Sequence, residues 1–163
     1  MLEIKKIESL LKAKDSDSIY FGVDFIRKNP IIFGSKGKKL LNSVSIKDKI
    51  KNYSDVCEEL QIKELAEDDF SFLPKNQRKR LLASHKIENI TKVFNGDVLL
   101  DFSNSSQKKF IPWFCRTGSG WSLYSVACSL VISSGSVGFY YKSEELAQYA
   151  VKIFINIYLD LLD

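Results

Sequence analysis

His85 is the only imidazole in the chain, so any nucleophile–base pair of the usual kind would have to be built on it. It sits three and four residues after Leu82 and Leu81, on the side of a helix that should face inward. That spacing describes a packed, hydrogen-bonded histidine more readily than a catalytic base. Cys57, Cys115 and Cys128 are scattered, form no CxxC pair and assemble no zinc pattern with a single histidine. Glu67, Asp68 and Asp69 are the densest local carboxylates, but consecutive acids in a loop match no calcium-loop spacing and read as solvated. Carboxylates dispersed along the chain could still converge as a metal-dependent nuclease, and that reading stays open.

Two basic stretches bear on phosphate binding. "GSKGKK" (34–39) combines glycines with Lys36, Lys38 and Lys39. A P-loop needs four residues between its glycines and Ser or Thr after the lysine. Here two residues intervene and Lys39 takes the hydroxyl position, which rules out the ATPase reading and leaves a basic loop or short helix able to touch a nucleic-acid backbone. Arg78, Lys79 and Arg80 form the second run. On a helix these three point about 100° apart, so they make a solvated helix end before they make one flat phosphate-binding face. No residues suggest a bound cofactor or metal.

Net charge is +4, with 45% hydrophobic and 27% charged residues, the balance of a globular protein. Residues 1–50 carry 11 Lys/Arg against 6 acids, so the basic excess lies in the first third. No run of about 18 apolar residues is present to span a bilayer. The N-terminal "MLEIKKIESLLKAK" lacks the apolar core and small-residue site of a signal peptide. A reducing cytoplasm is the expected setting.

The elements that must position these residues follow from hydrophobic period. Ile4, Ile7, Leu10 and Leu11 recur at helical spacing, and "DSDS" (15–18) ends that helix. "SIYFGVDFIRKNPIIFG" reads as two strand-like runs around an Asn29–Pro30 turn. Ser54 is the expected cap of a helix through "SDVCEELQI". A longer helix begins near Pro74, covers 74–94 and stops at Asn95–Gly96. Residues 97–142 change to strand period. "DVLLDF", "KKFIPWFCR", "WSLYSVACSLVIS" and "SVGFYYK" are separated by "TGSG" and "SSGS", suggesting an antiparallel meander of three to five strands. Ser143 caps a terminal helix over 143–162, whose polar residues Glu144, Gln148, Lys152, Asn156 and Asp160 form one narrow stripe. Such a helix must be covered on most sides, by the sheet on one and by N-terminal elements or another molecule on the rest. The expected fold is therefore α+β, with residues 53–163 as the main domain and residues 1–52 as a basic extension packed on it.

Within "NSSQKKFIPWF" (104–114), alternation puts Phe110, Pro112 and Phe114 on one face and Ile111, Trp113 and Cys115 on the other. One set can enter the core while the other leaves aromatic surface, and exposed aromatics beside cations are how many single-strand binders work. Gln107, Lys109, Trp113 and Trp121 join the lysines and arginines above as candidate contact residues.

The blocks "SDVCEELQI", "LPKNQRKRLLASHKIENITKVFN", "DFSNSSQKKFIPWF" and "GFYYKSEELAQYAVKIFINIYLDLL" resemble a widespread family of small proteins from phages, prophages and mobile elements. Its members carry an Asp-Trp-x-Asn-x-x-Gln-x-Lys-Tyr-x-Pro-Trp-Phe-like block and a Lys-Ser-x-Glu-Leu-Ala-x-Tyr-Ala-like helix. Matching positions are Asp101, Asn104, Gln107, Lys109, Pro112, Trp113 and Phe114, then Lys142, Ser143, Glu145, Leu146, Ala147, Tyr149 and Ala150. Phe102 and Phe110 replace the usual Trp and Tyr, and residues 1–52 fall outside the resemblance. It brings no catalytic residues. It implies an accessory protein that binds host or phage machinery, with anti-defence inhibitors of CRISPR effectors among the precedents. Three functional readings follow: a non-enzymatic protein docking on a nucleoprotein machine, a direct DNA- or RNA-binding protein, and an unrecognised nuclease.

Overall fold

A computed structural model describes residues 2–129 and 139–163, which form two compact units, Met1–Lys51 and Asn52–Asp163. The class is α+β: seven α-helices and one two-stranded antiparallel sheet among the described residues.

The first unit is helical. Its elements are α1 (Leu2–Leu10), α2 (Ser16–Lys28), α3 (Pro30–Asn42) and the single turn α4 (Ile46–Lys49). Asp15 does more than end the first helix. Its carboxylate accepts from the Ser18 N–H at 2.7 Å and so caps α2, and that bond lowers its pKa. The two strand-like runs expected around Asn29–Pro30 are instead α2 and α3, and Pro30 occupies the first turn of α3. Tertiary burial explains this correction. Val23 and Ile26 lie three residues apart on the buried side of α2. Ile26 joins Ile7 and Phe33 in a core that Phe25 flanks, edge-on to Phe33 at 6.1 Å. Burial on a helical face outweighs the β preference of the individual side chains. The close contact of α2 with α3 depends on Gly37, where a Cβ would meet the Phe33 Cβ at 2.7 Å and the Ile26 Cγ2 at 3.0 Å.

The second unit begins with α5 (Tyr53–Leu60), capped two residues earlier than expected. Asn52, in place of Ser54, accepts from the Asp55 N–H, and the Asp55 carboxylate accepts from the Asn52 N–H, each at 3.1 Å. This reciprocal box satisfies two helix-end donors, which a hydroxyl at position 54 inside the first turn could not do. After a 3-10 turn (Glu67–Phe70) comes α6 (Lys75–Asn95), ending at Gly96 with φ +58° as its sequence suggests. Strands β1 (Lys109–Thr117) and β2 (Gly120–Ser129) pair across a tight turn in which Gly120 takes φ +109°. Ser143 then caps α7 (Glu144–Leu162), accepting from the Leu146 N–H at 3.3 Å.

The sheet is smaller than the meander expected. "DVLLDF" forms no strand, because hydrogen bonds with Gln107, further along the chain, draw it into a loop. Of "SVGFYYK", Tyr141 makes an isolated bridge with Phe110, through N–H···O bonds of 2.9 and 2.7 Å. The "SSGS" turn, the Leu130 and Ile132 positions and the start of "SVGFYYK" lie outside the described residues.

Helix α7 packs on α6 as well as on both strands, so α6 supplies cover that the sheet alone cannot. Glu144, Gln148, Lys152 and Asn156 stay exposed, while Leu146, Ala147, Ala150, Val151, Phe154 and Tyr158 are buried. The Phe94 ring on α6 sits among Tyr141, Tyr149 and Phe154, at 6.3, 6.0 and 6.3 Å between centroids. Asn95 closes the same region. Its side chain donates to the Tyr140 carbonyl at 2.8 Å and accepts from the Lys142 N–H at 2.9 Å.

Candidate interaction surface

The 101–109 block is an internally bonded loop. Gln107 accepts from the Asp101 N–H at 2.6 Å and donates to the Leu99 carbonyl at 3.0 Å. The Asp101 carboxylate takes the Ser103 hydroxyl at 2.6 Å and the Ser103 N–H at 2.9 Å, and these bonds hold its pKa below the ordinary value. Lys109 is 0% exposed. Its ammonium donates to the carbonyls of Asn104 at 3.0 Å and Gln107 at 2.8 Å, and lies 5.6 Å from the Phe102 ring centre. Gln107 and Lys109 thus hold the loop together, and Lys109 presents no surface to a partner. Lys109→Met should cost about 2 kcal/mol, since two part-buried carbonyls lose a charged donor. Urea unfolding checks this. An unchanged midpoint together with lost partner binding would instead make Lys109 a contact residue.

The strand that follows has two different faces. Pro112 is buried and Phe114 stacks on Tyr158 of α7, with centroids 5.5 Å apart. Trp113 points the other way and is 58% exposed. Opposite it the ladder slips. Trp113 pairs with Ser125 and Phe114 with Leu123, which leaves Tyr124 unmatched in a bulge and 73% exposed. Two large aromatic side chains at neighbouring positions of the ribbon are therefore exposed. Trp121, half-buried near the turn, carries the Arg116 guanidinium 5.9 Å from its ring centre.

The remaining predicted residues are dispersed. Arg78 donates to the carbonyls of Leu73 and Ser71, both at 2.8 Å, and so ties the approach to α6. Lys79 pairs with Asp160 of α7 at 2.8 Å, and this hydrogen bond raises the pKa of its ammonium. Arg80 is exposed. With Lys75, Lys79, Glu67, Asp160 and Asp163 it lines a groove of about 610 Å³ in which the two signs of charge are mixed. Lys36, Lys38 and Lys39 are exposed on α3, which is helical where a basic loop was one expectation.

Asn89 donates to the Tyr53 hydroxyl at 2.9 Å, and its amide nitrogen lies 3.1 Å from His85 Nε2. Burial pushes the Tyr53 hydroxyl up to about 12. Glu67, Asp68 and Asp69 are exposed, with Asp69 accepting from the Ala66 N–H at 2.8 Å. Among the described residues no group of three or more His, Cys, Asp or Glu is placed to hold a metal ion, and no helix is long and apolar enough to cross a membrane.

Two features escaped sequence reasoning. Strand alternation would put Tyr124 on the face of Val126 and Cys128, and no residue type signals the bulge that leaves it unmatched. Val98, Leu99, Leu100, Phe102 and Tyr140 line an open groove of about 340 Å³ beside the end of α6, with Leu99 88% exposed. The apolar run "DVLLDF" was the available signal, but it reads equally as a strand.

Compared with known proteins, the chain matches no family model, no curated protein and no solved structure.

Proposed function

We propose that this protein is a non-enzymatic binding protein that docks on a nucleoprotein machine through the open face of its hairpin. The mobile-element resemblance nominates RNA-guided nucleases as the class of machine and inhibition as the outcome. The observation that supports the reading is the exposure of Trp113 and Tyr124 beside the bulge, on a ribbon that α7 packs against through Phe114. Rigid aromatic side chains with few rotatable bonds are favoured anchors in protein interfaces.

The test is co-purification from host lysate with the folded full chain, followed by the Trp113→Ala/Tyr124→Ala variant. Neither ring is buried, so the variant should keep its stability within about 1 kcal/mol. It should bind a recovered effector complex at least about 30-fold more weakly, as loss of a hot-spot anchor requires. Recovery of no complex, or equal affinity of the variant, would remove the hairpin face from consideration.

A further inference from the structure

The first unit has an electrostatic character of its own. Residues 1–51 carry 12 Lys/Arg against 6 acids, a net +6, whereas residues 52–163 carry 12 against 14, a net −2. The positive charge is also gathered in space. Lys36 of α3 reaches Glu8 of α1 at 2.6 Å, so these two helices lie side by side at that point. Glu8 sits three residues after Lys5 and four before Lys12, which places all three on one side of α1 and the turn that continues it. Lys5, Lys12 and Lys36 all act on the Glu8 carboxylate, and the Lys36 hydrogen bond is the largest influence lowering its pKa. Lys39 follows Lys36 by three residues, on the regular part of α3 beyond Gly34, and is exposed. Three ammonium groups on two helices thus act on one carboxylate, and Lys39 adds a fourth positive charge one turn along α3 from Lys36.

We infer that this α1/α3 face grips the phosphate backbone of a nucleic-acid duplex without reading its sequence. The cluster offers ammonium groups and no stacking ring, which suits phosphates and not bases. An anionic membrane would instead call for apolar side chains on the same face as the cations. The exposed Ile31 and Ile32 precede Gly34, whose φ of +48° and ψ of −135° break the helix, so they do not continue the Lys36–Lys39 face. The inference is independent of the hairpin reading, since it concerns the other unit.

The experiment is fluorescence anisotropy of the full chain with a labelled DNA duplex of about 20 base pairs, across salt. Four phosphate contacts give a slope of log K against log salt of about −3.6, so raising salt from about 50 to about 200 mM should weaken binding about 100-fold. Lys5→Glu/Lys12→Glu/Lys39→Glu spares the Lys36–Glu8 pair and keeps the helices joined. It should bind at least tenfold more weakly, with a slope shallower by about 2.7. The control Lys63→Glu/Lys108→Glu/Lys152→Glu makes the same change in net charge on the second unit and should bind like the parent. The parent failing to bind at low salt overturns the inference, as does a flat salt response or equal loss in the control. Tighter binding to vesicles of equal phosphatidylcholine and phosphatidylserine than to the duplex would transfer the face to a membrane and also overturn it. The Trp113→Ala/Tyr124→Ala variant should bind the duplex normally.

Discussion

Phe94→Ala is expected to destabilise the second unit by about 3–5 kcal/mol, the loss typical of a phenylalanine removed from a closed core. Phe94 is 1% exposed, and its ring contacts Tyr149 and Phe154 of α7 and Tyr141 of the segment that bridges β1. One truncation therefore loosens the α6–α7 contact and the backing of the hairpin together. Surrounding rings are too rigid to collapse into the space, so both a transfer and a cavity contribution are expected. Against a total stability of about 5–15 kcal/mol, such a loss would leave the unit marginal at body temperature. Urea unfolding followed by near-ultraviolet circular dichroism reads it directly. Phe94→Leu should recover more than half of the loss by refilling most of the volume. A cost below about 1 kcal/mol for the alanine variant would show that α6 and α7 do not meet through this ring.

Raising the pH above 10 should erode stability steeply. Tyr141 and Tyr158 are buried on facing elements with their hydroxyls hydrogen-bonded to each other, and burial pushes both pKa values up. An unfolded tyrosine loses its proton near pH 10. The folded pair retains its protons, so the unfolded state gains free energy from ionisation that the folded state cannot match. The stabilisation is complete below pH 10 and is lost as pH climbs towards the raised folded values. Each such group contributes about 1.4 kcal/mol per pH unit above 10, or nearly 3 kcal/mol per unit for the pair. Tyr53, raised to about 12, adds to the same loss between pH 10 and 12. Urea midpoints collected from pH 8 to pH 11.5 measure the slope. Tyr141→Phe/Tyr158→Phe should be nearly neutral at pH 7, because both partners of the bond leave together, and should remove most of the alkaline slope. Tyr158→Phe alone should cost about 1–3 kcal/mol at pH 7, because it leaves the Tyr141 hydroxyl buried without its partner. A midpoint that stays level to pH 11 would mean that the pair is open to solvent.

What could be read from the residues depended on the range of the interactions involved. The α6 and α7 helices were legible because their signals are local: Pro74 and Gly96 bracket one, and Ser143 with a four-residue polar stripe defines the other. The hairpin turn was legible for the same reason. The α2–α3 pair was not, because Tyr20, Phe21, Val23 and Ile26 favour strands individually and only the burial of Val23 and Ile26 on one side selects the helix. "DVLLDF" failed through interactions from further along the chain: Gln107 and Lys109 fasten this stretch in a loop, and their polar character suggested a contact site instead. The alternation along 110–114 correctly separated the packed Phe114 from the exposed Trp113, whereas the bulge at Tyr124 depends on cross-strand register.

The Asn95 bonds also bear on the order in which the protein is made. Its side chain is satisfied by Tyr140 and Lys142, 45 and 47 residues downstream. A ribosome delivers the chain from its N-terminus at a few residues each second, so α6 emerges well before the peptide that seals its end. Until that peptide arrives, the Asn95 amide must be hydrated, and the nascent helix ends in water. Docking of residues 140–142 then expels that water and joins Phe110 to Tyr141, which makes completion of the hairpin's support a late event in biogenesis.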